Sequence, residues 1–175
     1  MSRSGRQPYP SLAWVKSQVS GAAGIGTFDY VIIDDTGGSG DYEAYDSDGV
    51  KQVNNVKAEL VLEGCLSAGQ ANTVIYVRDV IDFDDDDSIV TITYPRVSIL
   101  YGTAASEGTN PFIQKLILDS TSRDVRSCVF EGLDFNEIRL DSTGGTSRIR
   151  YNYWNRCYVV GTSTANKQGV VIAGS

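Results

Sequence analysis

Carboxylates and arginines are the residues of this chain best placed to do chemistry, because it contains no histidine. The densest group is Asp82, Asp84, Asp85, Asp86 and Asp87, interrupted only by Phe83. Calcium gathers several oxygen ligands, so a turn this rich in carboxylates makes Asp82, Asp84, Asp85 and Asp86 candidate Ca2+ ligands. The spacing is unlike an EF-hand, which needs a glycine at the loop centre and a glutamate at its end. A solvated turn between two strands is the plainer expectation. A second group consists of Arg139, Arg148, Arg150 and Tyr158, with Glu131, Asp134 and Glu137 close by in sequence. Together with Tyr151, Tyr153 and Trp154 these side chains could line a saccharide-binding face. Use of the aromatics in core and turns is the competing expectation.

Other chemistries are excluded by residue type. Without histidine there is no Ser-His-Asp triad and no His-containing zinc site. The three cysteines, Cys65, Cys128 and Cys157, are odd in number and lack CxxC spacing, which removes the zinc-ribbon arrangement as well. Cys128 and Cys157 are expected to act as small buried apolar residues rather than as a disulfide. The pairs Gly37-Gly38 and Gly144-Gly145 have no phosphate-loop lysine beside them and read as turns.

Charge narrows the partners. The chain has 175 residues, enough for one domain with its own core, and a net charge of −7. No acidic residue precedes Asp29, whereas Arg3, Arg6 and Lys16 lie in that opening stretch; beyond it 22 acids face 12 bases. A body so acidic repels phosphate backbones, so no nucleic-acid partner is expected. No apolar run is long enough for a membrane span. Pro8, Pro10, Lys16 and Gln18 interrupt the N-terminal region, so no secretory signal is expected within it.

The elements that must position these groups are mostly strands. Residues 1–26 are rich in Ser, Gly, Ala and Pro around one island, Leu12-Ala13-Trp14-Val15, and read as a tail or assembly arm. Residues 27–53 read as a β-hairpin turning at Gly37-Gly38-Ser39-Gly40, with a second tight turn at Asp48-Gly49. Residues 54–68 read as a helix with Asn54 or Asn55 as N-cap, Val56, Leu60 and Leu66 as its apolar stripe, and Gly69 as its stop. Gly64 sits awkwardly in its interior. From residue 73 onward short strands are expected at 73–77, 89–93, 97–101, 113–118, 125–130, 137–140, 148–151, 157–160 and 169–173, so residues 54–175 form a capping helix and the coils that follow it.

A repeat of nineteen residues sets the expected stacking. Laying residues 130–140 over 149–159 places Phe130 on Ile149, Phe135 on Trp154, Asn136 on Asn155, Ile138 on Cys157 and Leu140 on Val159. The charges follow, with Glu131 over Arg150 and Glu137 over Arg156, and Arg139 falls over Tyr158. A fixed period near twenty with β-type segments marks a solenoid. In it Phe135 and Trp154 would stack as aromatics and Asn136 and Asn155 would form an internal amide ladder.

The order of a helix, a Thr-Val-Ile-Tyr-Val strand, an acidic turn, Ser-Ile-Val-Thr-Ile and Val-Ser-Ile-Leu-Tyr-Gly resembles the right-handed parallel β-helix proteins of the pectate-lyase-like superfamily. The phrase Phe130-Glu131-Gly132-Leu133-Asp134-Phe135-Asn136 is similar to that family's rung sequence. The resemblance covers roughly residues 56–160. It implies an all-β fold: a single-stranded right-handed parallel β-helix with an N-terminal hairpin and a short capping helix. The alternative is an antiparallel β-sandwich or jelly roll. The family includes polysaccharide lyases and hydrolases as well as viral spike proteins. No catalytic residue of either enzyme class can be placed here, since no aspartate pair occupies a rung and no arginine has a lyase-like setting.

The C-terminal strand is followed only by Gly174 and Ser175, and a solenoid must cover both ends. The expected function is therefore a structural or attachment module of a virion spike or fibre, or of a cell-surface filament, extracellular and contacting glycans or sibling subunits. A homo-oligomer or larger assembly is the expected state, with polysaccharide as a further partner. The rival from another class is the N-terminal part of a polysaccharide lyase or glycoside hydrolase.

Overall fold

A computed structural model of the chain describes residues 28–101, 109–142, 147–159 and 170–174. The arm expected in residues 1–26 lies outside them. In chain order the elements are β1 (Tyr30–Asp34), β2 (Tyr42–Asp46), β3 (Lys51–Asn55), α1 (Ala58–Gly69), β4 (Val74–Val77), β5 (Asp82–Phe83), β6 (Val90–Ile92), β7 (Ser98–Tyr101), β8 (Phe112–Asp119), β9 (Val125–Arg126), β10 (Val129–Glu131), β11 (Asp134–Ser142), β12 (Ile149–Arg150), β13 (Tyr153–Asn155), β14 (Tyr158–Val159) and β15 (Val170–Gly174). They wind into a β-solenoid of about three turns. One sheet runs β13-β10-β7-β4-β1-β2-β3, a second β14-β11-β8-β5, and β9 and β12 pair as a third. Every pairing between successive coils is parallel. That excludes the antiparallel sandwich, because parallel neighbours require a crossover rather than a hairpin.

The stacking is real, but the nineteen-residue register is not. Val129, Phe130 and Glu131 pair with Tyr153, Trp154 and Asn155, Val125 with Ile149, and Asp134 with Tyr158. Each offset is 24. The same offset joins Val74 to Ser98. Ser98 pairs with Val129, 31 residues on, so this coil is seven residues longer than its neighbours in the large sheet. Asn136 therefore does not stack on Asn155, which lies over Glu131 on the other sheet. Phe135 and Trp154 likewise belong to different sheets. They still touch, edge to face at 5.8 Å, while the stacked partner of Trp154 is Phe130 at 4.3 Å and 20°. Apolar residues alternate along any strand, so a wrong offset can still match apolar to apolar.

Corners mark the successive coils, whose offsets vary: Phe112 on β8 pairs with Asp134 on β11, 22 residues on. Asn72, Arg96, Ser127 and Tyr151 all have positive φ, and each stands two residues before a strand of the large sheet. Their amides climb from coil to coil, from Asn72 to the Pro95 carbonyl at 3.2 Å, Arg96 to Arg126 at 2.8 Å and Ser127 to Arg150 at 3.3 Å. A second column of left-handed corners, Gly132 and Arg156, follows the strands. At Gly132 a Cβ would lie 2.9 Å from the Tyr101 carbonyl oxygen, so both conformation and space call for glycine there.

The core fills in columns. Ile75, Ile99, Phe130 and Trp154 stack through the large sheet, and Phe83, Ile113, Phe135 and Val159 through the second. All but the last member of each column are fully buried. The N-terminal end is closed by α1, whose Ala58, Val61, Leu62, Cys65 and Leu66 are buried. The helix starts at Ala58 rather than 54, because residues 51–55 form a third strand that completes an antiparallel meander with β1 and β2. Val56 accordingly lies outside the helix and is exposed. Gly64 has a packing role: a Cβ there would meet Val53 Cγ1 at 3.0 Å, so its absence lets the helix lie close on β3. β1 pairs with β4 as well as β2, so the meander continues the solenoid sheet and is not a separate unit.

Candidate functional site

The acidic turn is occupied by the helix. Ala58 and Glu59 donate their backbone N–H groups to the Asp85 carboxylate at 2.6 and 3.1 Å, which supplies from a distance the N-cap that Lys57 does not provide. Asp86 pairs with Lys57 at 2.5 Å, and Asp87 accepts from Ile89 N–H at 2.9 Å. Among the described residues no group of three or more metal-ligating side chains converges, at Asp82, Asp84, Asp85 and Asp86 or elsewhere. Under the turn lies Glu59, fully buried. Its Oε1 accepts from Ile89 N–H at 3.2 Å. Burial and a side-chain hydrogen bond with Asp87 push its carboxyl up to about 7. Glu63, one turn on, is raised by burial and by the same aspartates. A shallow groove of about 300 Å³ lies between α1 and β6, lined by Glu63, Thr91, Tyr94 and Val97 among others. It brings a single carboxylate to mostly neutral walls, which is too little for the paired acid and base of glycoside hydrolysis.

At the other end of the solenoid, no described residue covers the last coil. The last coil, residues 147–159, carries β12, β13 and β14 at the outer edges of their sheets, and β15 continues the edge of the second sheet beyond β14 by pairing with the later part of β11. Trp154 is 38 % exposed and Val159 40 %, although they end columns that are otherwise dry. Tyr151, Tyr153 and Tyr158 are exposed beside them. A plane of aromatic surface thus stands where a further coil would stack.

Arginines frame this plane. Arg150 donates to Asp124 Oδ2 at 3.0 Å while the Arg148 backbone N–H donates to Oδ1 at 3.0 Å. The Arg148 amide, with Arg150 and Arg126 beside it, holds the Asp124 carboxyl below its ordinary range. Arg156 pairs with Glu131, and Arg150 lies 5.7 Å from the Tyr151 ring. Beneath the coil, Asn152 Oδ1 accepts from Cys128 N–H at 2.9 Å, which braces the last coil against the one before it.

No model of a protein family, no curated protein and no solved structure matches this chain. What the geometry shows is a β-solenoid of about three turns, compatible with a parallel β-helix, and nothing narrower about family.

The four residues expected to bind saccharide are not gathered into one cluster. Arg148, Arg150 and Tyr158 belong to the last coil, Tyr158 on β14 and Arg150 on β12. Arg139 belongs to β11 and is engaged with Asp141 at 2.9 Å. Glu137 meets Lys115 at 3.2 Å instead of Arg156, and Glu131 meets Arg156 instead of Arg150. Cys128 is buried and free as expected, and Cys157, also free, is only partly buried because it lies in the last coil. Asp124 and Asn152 escaped the sequence reading, and Arg156 was matched to Glu137 instead of Glu131. The 24-residue spacing of Asp124 and Arg148 was the signal that could have found two of the partners.

Proposed function

We propose that this chain is a structural or attachment module, a β-solenoid segment of a virion spike or fibre or of a cell-surface filament. It meets sibling subunits or glycans through its last coil and works outside the cell. The observation that carries this reading is the contrast in that coil, where core columns end in half-exposed Trp154 and Val159 beside strand edges that no described residue pairs. Such a surface is costly unless covered. Aromatic planes flanked by arginine also suit sugar rings and carboxylated saccharides. The deciding experiment is turnover of a panel of uronate polymers and neutral glycans by the full chain, with and without calcium. No turnover is expected; release of unsaturated or reducing ends would overturn the reading in favour of a lyase or hydrolase.

A further inference from the structure

Both ends of the large sheet are open in the same sense. Its outermost strands are β13 and β3. From β1 through β4, β7 and β10 to β13 all neighbours are parallel. From β1 to β2 and from β2 to β3 they are antiparallel. Two reversals restore direction, so β3 points the same way as β13. Among the described residues neither strand is paired on its outer side. A second solenoid placed in line with the first can therefore lay its β3 beside β13 in the parallel geometry the molecule already uses between coils.

The side chains agree. Of the eight large apolar residues exposed among those described, two, Val50 and Val56, flank β3, and five, Tyr151, Tyr153, Trp154, Tyr158 and Val159, belong to the last coil. Only Val80 lies elsewhere. Exposed apolar surface is thus concentrated at the two faces that head-to-tail stacking would cover.

Charge supplies polarity. Residues 28–101 hold 15 acids against 4 bases, whereas residues 109–159 hold 6 acids against 7 bases. Residues 147–159 carry Arg148, Arg150 and Arg156 with no acid. At the opposite end the carboxylates reach β3 itself, for Asn54 donates to Asp41 at 2.8 Å and Gln52 to Asp46 at 2.6 Å. Like ends repel and unlike ends attract, so a two-fold, end-to-same-end dimer is disfavoured.

We infer that copies of this chain stack head to tail, the basic aromatic coil of one on the acidic β3 end of the next, with β13 and β3 joining into one continuous sheet. The inference deepens the module reading and rests on it, by naming the sibling subunit as a second copy of the chain. The contact is heterologous, so it propagates into an open filament instead of closing as a dimer.

The test is sedimentation and light scattering of the full chain and of two end-blocked variants. Tyr153→Glu places an acid on the basic coil, and Val56→Arg places a base beside β3; both positions are exposed, so folding is spared, as circular dichroism will verify. The wild type should grow with concentration beyond the 19.0 kDa monomer, and its association constant should fall about ten-fold or more when screening shortens the reach of charge. Each variant alone should stay monomeric, and an equimolar mixture should give a discrete heterodimer, because one free head and one free tail remain. Dimers of Val56→Arg alone would show like ends meeting and overturn the proposal, as would a wild type that stays monomeric. Should a variant fail to fold, the wild-type concentration and salt series still decides. A monomer that turns over no polymer removes only self-stacking, whereas polymer turnover removes the module reading itself.

Discussion

The two ends of the solenoid meet the same problem differently. At the N-terminal end α1 lies over the first coil, and Leu62, Val61 and Cys65 are shut away from water. At the C-terminal end Trp154 and Val159 occupy equivalent column positions yet remain more than a third exposed. The interior of the first end is covered by the chain's own helix, down to a remote aspartate capping it, and among the described residues only the β3 edge is left unpaired there. The second offers aromatic surface and strand edges that no described residue pairs. A solenoid coil cannot finish itself, since each coil satisfies its backbone only through its neighbours. The proposed partner contact is placed at the end that no described residue caps.

Mutations should sharpen the contrast. Leu62→Ala opens a cavity in a closed region and should cost about 2–5 kcal/mol in chemical denaturation. Trp154→Ala, at an end already wet, should cost about half as much or less in the isolated monomer; an equal loss would mean the last coil is as well covered as the first. Asp85→Ala should cost about 1 kcal/mol by uncapping α1. Asp84→Ala, next to the capping Asp85 but outside the cap, should change stability by no more than about 0.5 kcal/mol. Arg156→Ala, which breaks a partly exposed pair with Glu131, should cost at most about 1 kcal/mol.

The closed end also carries a pH signature. Burial and Asp87 raise the folded Glu59 carboxyl to about 7, above its ordinary value of 4.5. The folded protein thus keeps a proton that the unfolded chain has released. The stabilising contribution is complete below about pH 4.5 and is lost as pH rises through about 7. Glu59→Gln, which mimics the protonated form, should flatten this dependence and raise stability at pH 8 by about 1 kcal/mol. An unchanged slope from pH 5 to pH 8 would show that Glu59 is not the titrating group.

The sequence made the fold class legible and the register illegible, for one reason. Short β-segments from Val74 onward, the polar turns between them and a glycine after the helix are local signals, and the chain obeys them. Register is a long-range property, and alternating apolar residues satisfy several offsets at once. Nineteen fitted Phe135 to Trp154; 24 fits Phe130 to Trp154 and also places Arg148 and Arg150 on the two oxygens of Asp124. The reliable markers of the successive coils were the left-handed corners, and three of those, Arg96, Ser127 and Tyr151, are residue types that do not announce positive φ. Likewise β3 was hidden because Asn54 and Asn55 make good helix caps in isolation, whereas pairing of Asn54 with Glu43 and of Asn55 with Tyr42 decides for strand. The acidic turn was visible as a charge run, but its use as a remote cap for α1 depends on a contact across 27 residues.

Amide-to-amide and amide-to-Hα proximities in an isotope-labelled sample test the central claim most directly. The account predicts parallel-strand contacts joining Tyr153 to Cys128 and Val129, as its N–H donates to the Cys128 carbonyl at 2.8 Å, and joining Trp154 to Phe130. Contacts that instead put the Trp154 backbone beside Phe135, or Hα–Hα pairs of the antiparallel kind in this region, would contradict it.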